Sequence, residues 1–299
     1  MIVRPRPNQF AVLFTLRGSI AKRIAVRTLM LTLLAAVIVL VEILVPRYFA
    51  EINATPFTLL GLSLSIFLSF RNNACYDRWY EGRKAWGEVL LRVRAVMRET
   101  QGIDDASLRR QLLRNLCGFA HALNARLRTE SEAQASADWV SPPIDEAVPD
   151  HCGQILHHVG RQFSELETAG ALSPWRYQLL ASHLTCLSQA QAVCDRIKNT
   201  PLPFPYTLLL HRTIYLFCLL LPFAMAQSLG WLTPLFTAIV SYTFFGFDAI
   251  ADELEDPFGR DENDLPTDAL VRTLERDVLH ELGVSPLPPA PQPDDYVLR

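Results

Sequence analysis

Four stretches of the chain are apolar enough to read as membrane-spanning helices, and a long polar segment, mostly of helical period, separates the first two from the last two. Residues 25–46 are almost wholly apolar apart from Arg27 at one end and Glu42 near the other, close to the roughly 20 residues a helix needs to cross hydrocarbon. Residues 206–227 and 231–250 have similar length and are parted by a Leu229-Gly230 turn, with Trp231 at the depth where aromatic residues meet the interface. The remaining stretch, Thr55 to Phe70, is shorter and runs without a break into polar residues 71–87. So short an apolar helix suits surroundings of other helices better than lipid.

At helical spacing this short stretch carries two stripes. Leu62, Ile66 and Phe70 follow one another at intervals of four, and Gly61, Ser65 and Ser69 form a second row about 100° away. Small residues every four positions let helix backbones approach closely in a membrane, so Gly61, Ser65 and Ser69 are expected to pack. The bulky row then faces a central axis. Spacing alone leaves two other arrangements open: the bulky row facing lipid, or the Gly/Ser row lining a wet pore.

The polar segments complete the outline. Residues 71–128 are helical in pattern and rich in Arg and Lys, as cytoplasmic segments are. Residues 129–149 read as a surface loop, and 152–167 and 174–198 as helices, with Gly170 between them and Ser173-Pro174 as cap and first-turn proline of the second. Three prolines within Asn199-Thr-Pro-Leu-Pro-Phe-Pro205 stop that helix and mark the return to apolar sequence. An acidic run follows Ile250, then a helix over 267–282 and a proline-rich tail whose composition predicts disorder. The expected architecture is an all-α integral membrane protein with four transmembrane helices and a helical cytosolic domain. Its divisions are an N-terminal cytosolic or interfacial segment 1–24, spans one and two over 25–70, a cytosolic domain 71–205, spans three and four over 206–250, an acidic segment and helix 251–284, and the tail 285–299. Cations before the first span place the N-terminus in the cytoplasm, and four crossings return the C-terminus there.

Composition narrows the function. Of 299 residues, 50% are apolar, and 28 Lys and Arg stand against 31 Asp and Glu, which leaves no basic surface to argue for a nucleic-acid partner. The six cysteines form no CxxC pair and are expected to be free thiols; the adjacent His157 and His158 point in different directions on a helix and lack a metal-ligand companion. A contrasting reading makes Asp248, Asp252, Glu253 and Asp256 ligands for Mg2+ in a membrane transferase acting on phosphoryl or prenyl groups. It lacks a repeated DDxxD pattern and a phosphate-cradling glycine loop.

Pro56-Phe-Thr-Leu-Leu-Gly61 and Phe70-Arg-Asn-Asn-Ala-Cys-Tyr-Asp-Arg-Trp-Tyr-Glu-Gly-Arg-Lys-Ala-Trp-Gly87 together resemble the signature of the bestrophin channels, especially the bacterial branch. The likeness extends to Arg17-Gly-Ser19, to residues 199–207 and to Asp256-Pro-Phe-Gly-Arg-Asp-Glu-Asn-Asp264. It implies a non-enzymatic homopentamer in lipid, in the bacterial inner membrane, conducting monovalent ions: cations such as Na+, as in bacterial members, or chloride, as in animal ones. Leu62, Ile66 and Phe70 resemble the hydrophobic neck, with Leu62 where Ile is more usual. Trp175 falls near the family's cytosolic aperture. Asp261 and Asp264 match the carboxylates of the animal calcium clasp, but Arg260 and Asn263 interrupt the acidic run, so they are expected as a vestige, with no cofactor required.

Overall fold

The computed structural model describes residues 1–4, 15, 18–45, 55–145 and 147–299. The apolar segment 10–14, Arg17, and the loop 47–54 with its Asn53 lie outside the described residues.

Among the described residues the chain is helical: α1 (Ala21–Leu44), α2 (Thr55–Glu99), α3 (Ala106–Leu127), α4 (Glu132–Ser136), α5 (His151–Thr168), α6 (Pro174–Asn199), α7 (Phe204–Leu229), α8 (Thr233–Glu255) and α9 (Thr267–Glu281). The helical run expected over 71–128 is two helices. Gly102 lies in the break, and Asp105 caps α3 by accepting from the backbone N–H groups of Ser107 and Leu108. Ser173 caps α6 as expected, accepting from the N–H of Arg176, with Pro174 in the first turn. Gly170, at φ +74°, terminates α5 just after its cap in a left-handed conformation that side chains resist. The loop expected over 129–149 contains the short α4.

Two compact units divide the chain: Pro5–Arg78 with Pro201–Glu255, and Met1–Arg4 with Trp79–Thr200 and Asp256–Arg299. In the first, α1, α7, α8 and the N-terminal part of α2 bury Ile24, Leu64, Leu68, Ile214, Phe217 and Phe245 against one another. Ala21–Leu44 and the helical stretch Phe204–Glu255, which holds α7, a 3-10 turn at Gly230–Leu232 and α8, are long and apolar enough to cross a membrane.

The second unit has a core built on Trp86, Leu116, Phe119, Phe163 and Leu274. Arg126 is its polar hub, bonded through Nε and Nη2 to the two carboxylate oxygens of Glu132 at 2.9 and 3.0 Å and to Asp150 at 2.7 Å. The tail expected to be disordered is held here. The Met1 ammonium donates to the Leu298 carbonyl at 2.6 Å, Ile2 bridges Val297, and the Ala269 N–H on α9 donates to the Arg299 carbonyl at 2.7 Å. Composition predicts disorder where no packed partner exists; buried Val297 and these backbone bonds supply one.

Candidate functional site: the uncovered face of α2 and its anchor

Arg71 anchors the part of α2 that carries the two rows. Arg71 is fully buried, with Nη1 donating to Asp248 Oδ1 at 2.7 Å and Nη2 to Asp252 Oδ1 at 2.6 Å, while Glu255 Oε2 lies 3.5 Å away. Residues 248, 252 and 255 are four and seven apart, one face of α8. A buried guanidinium is tolerated where carboxylates surround it, and its planar fork reaches two at once.

Helical geometry carries this inward direction along α2. At about 100° per residue, Leu64, Leu68 and Cys75 fall within about 60° of Arg71, and all three are buried. Leu62, Ile66 and Phe70 fall about 180°, 220° and 260° around, centred opposite the buried face. All three are exposed on the single chain, by 61%, 49% and 60%. The row singled out by spacing is therefore the face that this chain's own helices leave uncovered.

The second row divides. Gly61 packs: a Cβ there would lie 3.1 Å from the Phe217 ring of α7. Ser65 and Ser69 are exposed, their hydroxyls donating back to the Gly61 and Ser65 carbonyls at 2.8 Å each. Within one chain, helix packing runs through Gly61 and not through the serines. The contact face that spacing missed is Leu64, Leu68, Arg71 and Cys75. Its signal was present as an arginine immediately after the apolar row, at a position where a cation needs buried acids.

The other predicted positions lie as follows. Trp175 is the second residue of α6 and 84% exposed. Asn72 donates to the Leu68 carbonyl, and Asn73 is exposed. Asp264 is buried, its Oδ2 accepting from the Asp261 N–H at 2.7 Å, while Asp261 is exposed. Burial pushes the Asp264 carboxyl up to about 6, an effect the Asp261 N–H opposes and the Asp261 and Asp256 charges reinforce. A calcium ion takes six to eight oxygens; Asp264 Oδ2 is turned to the Asp261 N–H. Among the described residues, no group of three His, Cys, Asp or Glu could hold a metal ion. All six cysteines are free.

The transferase reading fails on the same geometry. Asp248 and Asp252 both pair with Arg71, Glu253 lies 3.8 Å from Arg23, and Asp256 is bonded to Lys198 at 2.8 Å. Each candidate metal ligand already faces a cation, Asp248 and Asp252 sharing one.

Comparison with known proteins agrees with the resemblance. Residues 1–280 match the family described as Bacterial/Fungal Bestrophin protein. A voltage-dependent anion channel-forming protein of Mesorhizobium japonicum is 41% identical over 289 residues, covering 96% of this chain and 94% of its own. One of the same description from Escherichia coli K12 is 36% identical over 300 residues, covering 99% of each. The crystal structure of a bacterial bestrophin homologue from Klebsiella pneumoniae superposes with a TM-score of 0.83 at 35% identity, over 88% of this chain and 100% of that one. The chain belongs to the bacterial and fungal bestrophin family, whose members are membrane channels and not enzymes.

Proposed function

We propose that five copies of this chain surround one axis in the bacterial inner membrane and conduct monovalent anions such as chloride past rings of Leu62, Ile66 and Phe70. The observation that carries the pore is the uncovered apolar row opposite the Arg71 face. At 1.5 Å per residue, Thr55 to Phe70 extends about 24 Å, short of the roughly 30 Å of hydrocarbon. Neighbouring copies would supply the surroundings its length demands, and lipid the surroundings of α1, α7 and α8. The whole 45-residue α2 is about 67 Å long, so much of it lies beyond the bilayer, where its Arg and Lys residues belong.

In an apolar ring an ion gives up hydration and gains no oxygen or donor in exchange, so the ring closes by dewetting and opens by turning its side chains away. Such a ring does not choose the sign of the ion. The expectation of Na+ rests on resemblance alone, whereas the matched relatives from Mesorhizobium and Escherichia are both named for anions; the anion reading takes precedence on that ground. In this reading α1, the apolar part of α2, α7 and α8 make four crossings and leave both termini cytoplasmic. In this reading Trp175, the second residue of α6 and open to solvent, forms a second constriction on the cytosolic side; its exposure supports that role.

The test is the reversal potential of the purified protein in a planar bilayer under a KCl gradient. A value near the chloride potential is expected, and one near the potassium potential overturns the anion reading. Joint Ile66→Ala and Phe70→Ala replacement is expected to raise the current, and an unchanged current overturns the neck. Native mass spectrometry checks the count of five.

A further inference from the structure

Asp248 holds two helices at once. Its Oδ1 accepts from Arg71 of α2 at 2.7 Å, and its Oδ2 lies 2.9 Å from Nδ1 of His211 on α7. The carboxylate is buried, and His211 is partly open to solvent. Four surroundings of His211 matter. From α8 it meets Asp248; on its own helix it meets the Tyr215 ring at 4.7 Å; from α1, Arg27 lies over that same ring at 5.7 Å; from α2, Arg71 reaches it through Asp248. Glu255, the third acid around Arg71, also accepts the Leu202 N–H at 3.0 Å through Oε1 and the Arg78 Nε–H at 3.1 Å through its carbonyl.

Two consequences follow from this sharing. Turning α2 by one residue's angle, about 100°, would carry the Arg71 fork off Asp248 and Asp252 and leave charges buried without partners, so the acids define one rotational setting of the helix. That setting aims Leu62, Ile66 and Phe70. Second, one guanidinium faces three carboxylates, so a proton on His211 adds a cation where negative charge is in excess and divides Asp248 between two cations. The pull on Arg71 then depends on the charge of His211.

We propose that Asp248 is a positioning residue of the channel: it fixes the rotation of α2 through Arg71 and transmits the protonation of His211 to the row Leu62, Ile66 and Phe70. The proposal rests on reading that row as the pore neck. It adds a residue outside the pore that sets the gate, and a proton as the input.

The experiment is bilayer current from the purified full-length protein between pH 5 and 8, the interval in which an imidazole changes charge. The parent current is expected to change with pH. His211→Gln, which keeps a polar group but cannot be protonated, is expected to flatten that profile, and Asp248→Asn to change the current at pH 7.5 by about fivefold and flatten the profile as well. A His211→Gln profile that follows the parent overturns the proposal, and this holds even if Asp248→Asn does not fold, because His211 lies at the edge of the cluster. If Ile66→Ala with Phe70→Ala alters the current while His211→Gln and Asp248→Asn do not, Asp248 is not the positioning residue and the neck stands. If the Ile66 and Phe70 pair alters nothing, the neck reading itself is refuted.

Discussion

Replacing Asp264 by Asn should stabilise the protein at neutral pH, although it removes a carboxylate from the segment that resembles a calcium clasp. The acid is buried, and its carboxyl stands at about 6 against an ordinary 3.8. A folded-state value above the unfolded one means that the folded protein binds the proton more tightly. Stability is then gained as pH falls from about 7 through 6 toward 4, and is absent above that range. The difference of about 2 units corresponds to about 3 kcal/mol by which the ionised form opposes folding above pH 7. Asn keeps an oxygen to accept the Asp261 N–H and carries no charge. Its melting temperature in detergent should exceed that of the parent at pH 7.5 by several degrees, and the excess should shrink to about a third by pH 4.5 and toward zero near pH 3. Burial also lowers the pKa of His158 and of His183, so both forms lose stability on acidification below the ordinary imidazole value; the variant-minus-parent difference cancels that loss. A lower melting temperature for Asp264→Asn at pH 7.5 in EGTA, or an excess that does not depend on pH, would refute the reasoning. A loss seen only with added calcium would point to a bound ion at this carboxylate.

Three further outcomes follow from the same geometry. Arg71→Ala leaves Asp248 buried without its guanidinium and should destabilise by about 3–5 kcal/mol, with much of the loss recovered by adding Asp248→Asn, as read from denaturation midpoints of the two variants. Gly61→Val places a Cβ 3.1 Å from the Phe217 ring, so a loss of about 1–3 kcal/mol is expected, and Phe217→Leu in the same chain should relieve part of it. Trp175→Ala removes a side chain that packs little within the chain and should change stability by less than about 0.5 kcal/mol; a changed unitary conductance at unchanged melting temperature is the expected mark of an aperture.

How far the sequence could be read depended on whether a property is local. Helices were legible because apolar periodicity, Ser173-Pro174 and Gly170 act on their own neighbours, and α5, α6 and α9 lie within a residue of expectation. The break before α3 was missed although Asp105 caps it, since an N-cap in a cationic, helix-patterned run resembles an ordinary polar position. The placement of the tail was illegible for a different reason: its partners, Met1 and Ile2 at one end of the chain and Ala269 on α9, are not its neighbours in sequence. Proline content describes what a segment does alone, not what it does against a surface.

The row Leu62, Ile66 and Phe70 shows the limit most sharply. A period of 3.6 identifies faces of a helix but carries no origin of angle, so spacing left the bulky row free to meet lipid, axis or core. The origin comes from a charge. Leucine tolerates either lipid or protein, whereas an arginine at the end of an apolar helix must find carboxylates, and the acids at positions 248, 252 and 255 lie on one face of a helix more than 170 residues away. Once Arg71 meets them, the opposite face of α2 is determined, and it is the apolar row. On the proposed reading of that row as the pore neck, the residue that decides which side chains of α2 line the pore is thus the one that points away from it.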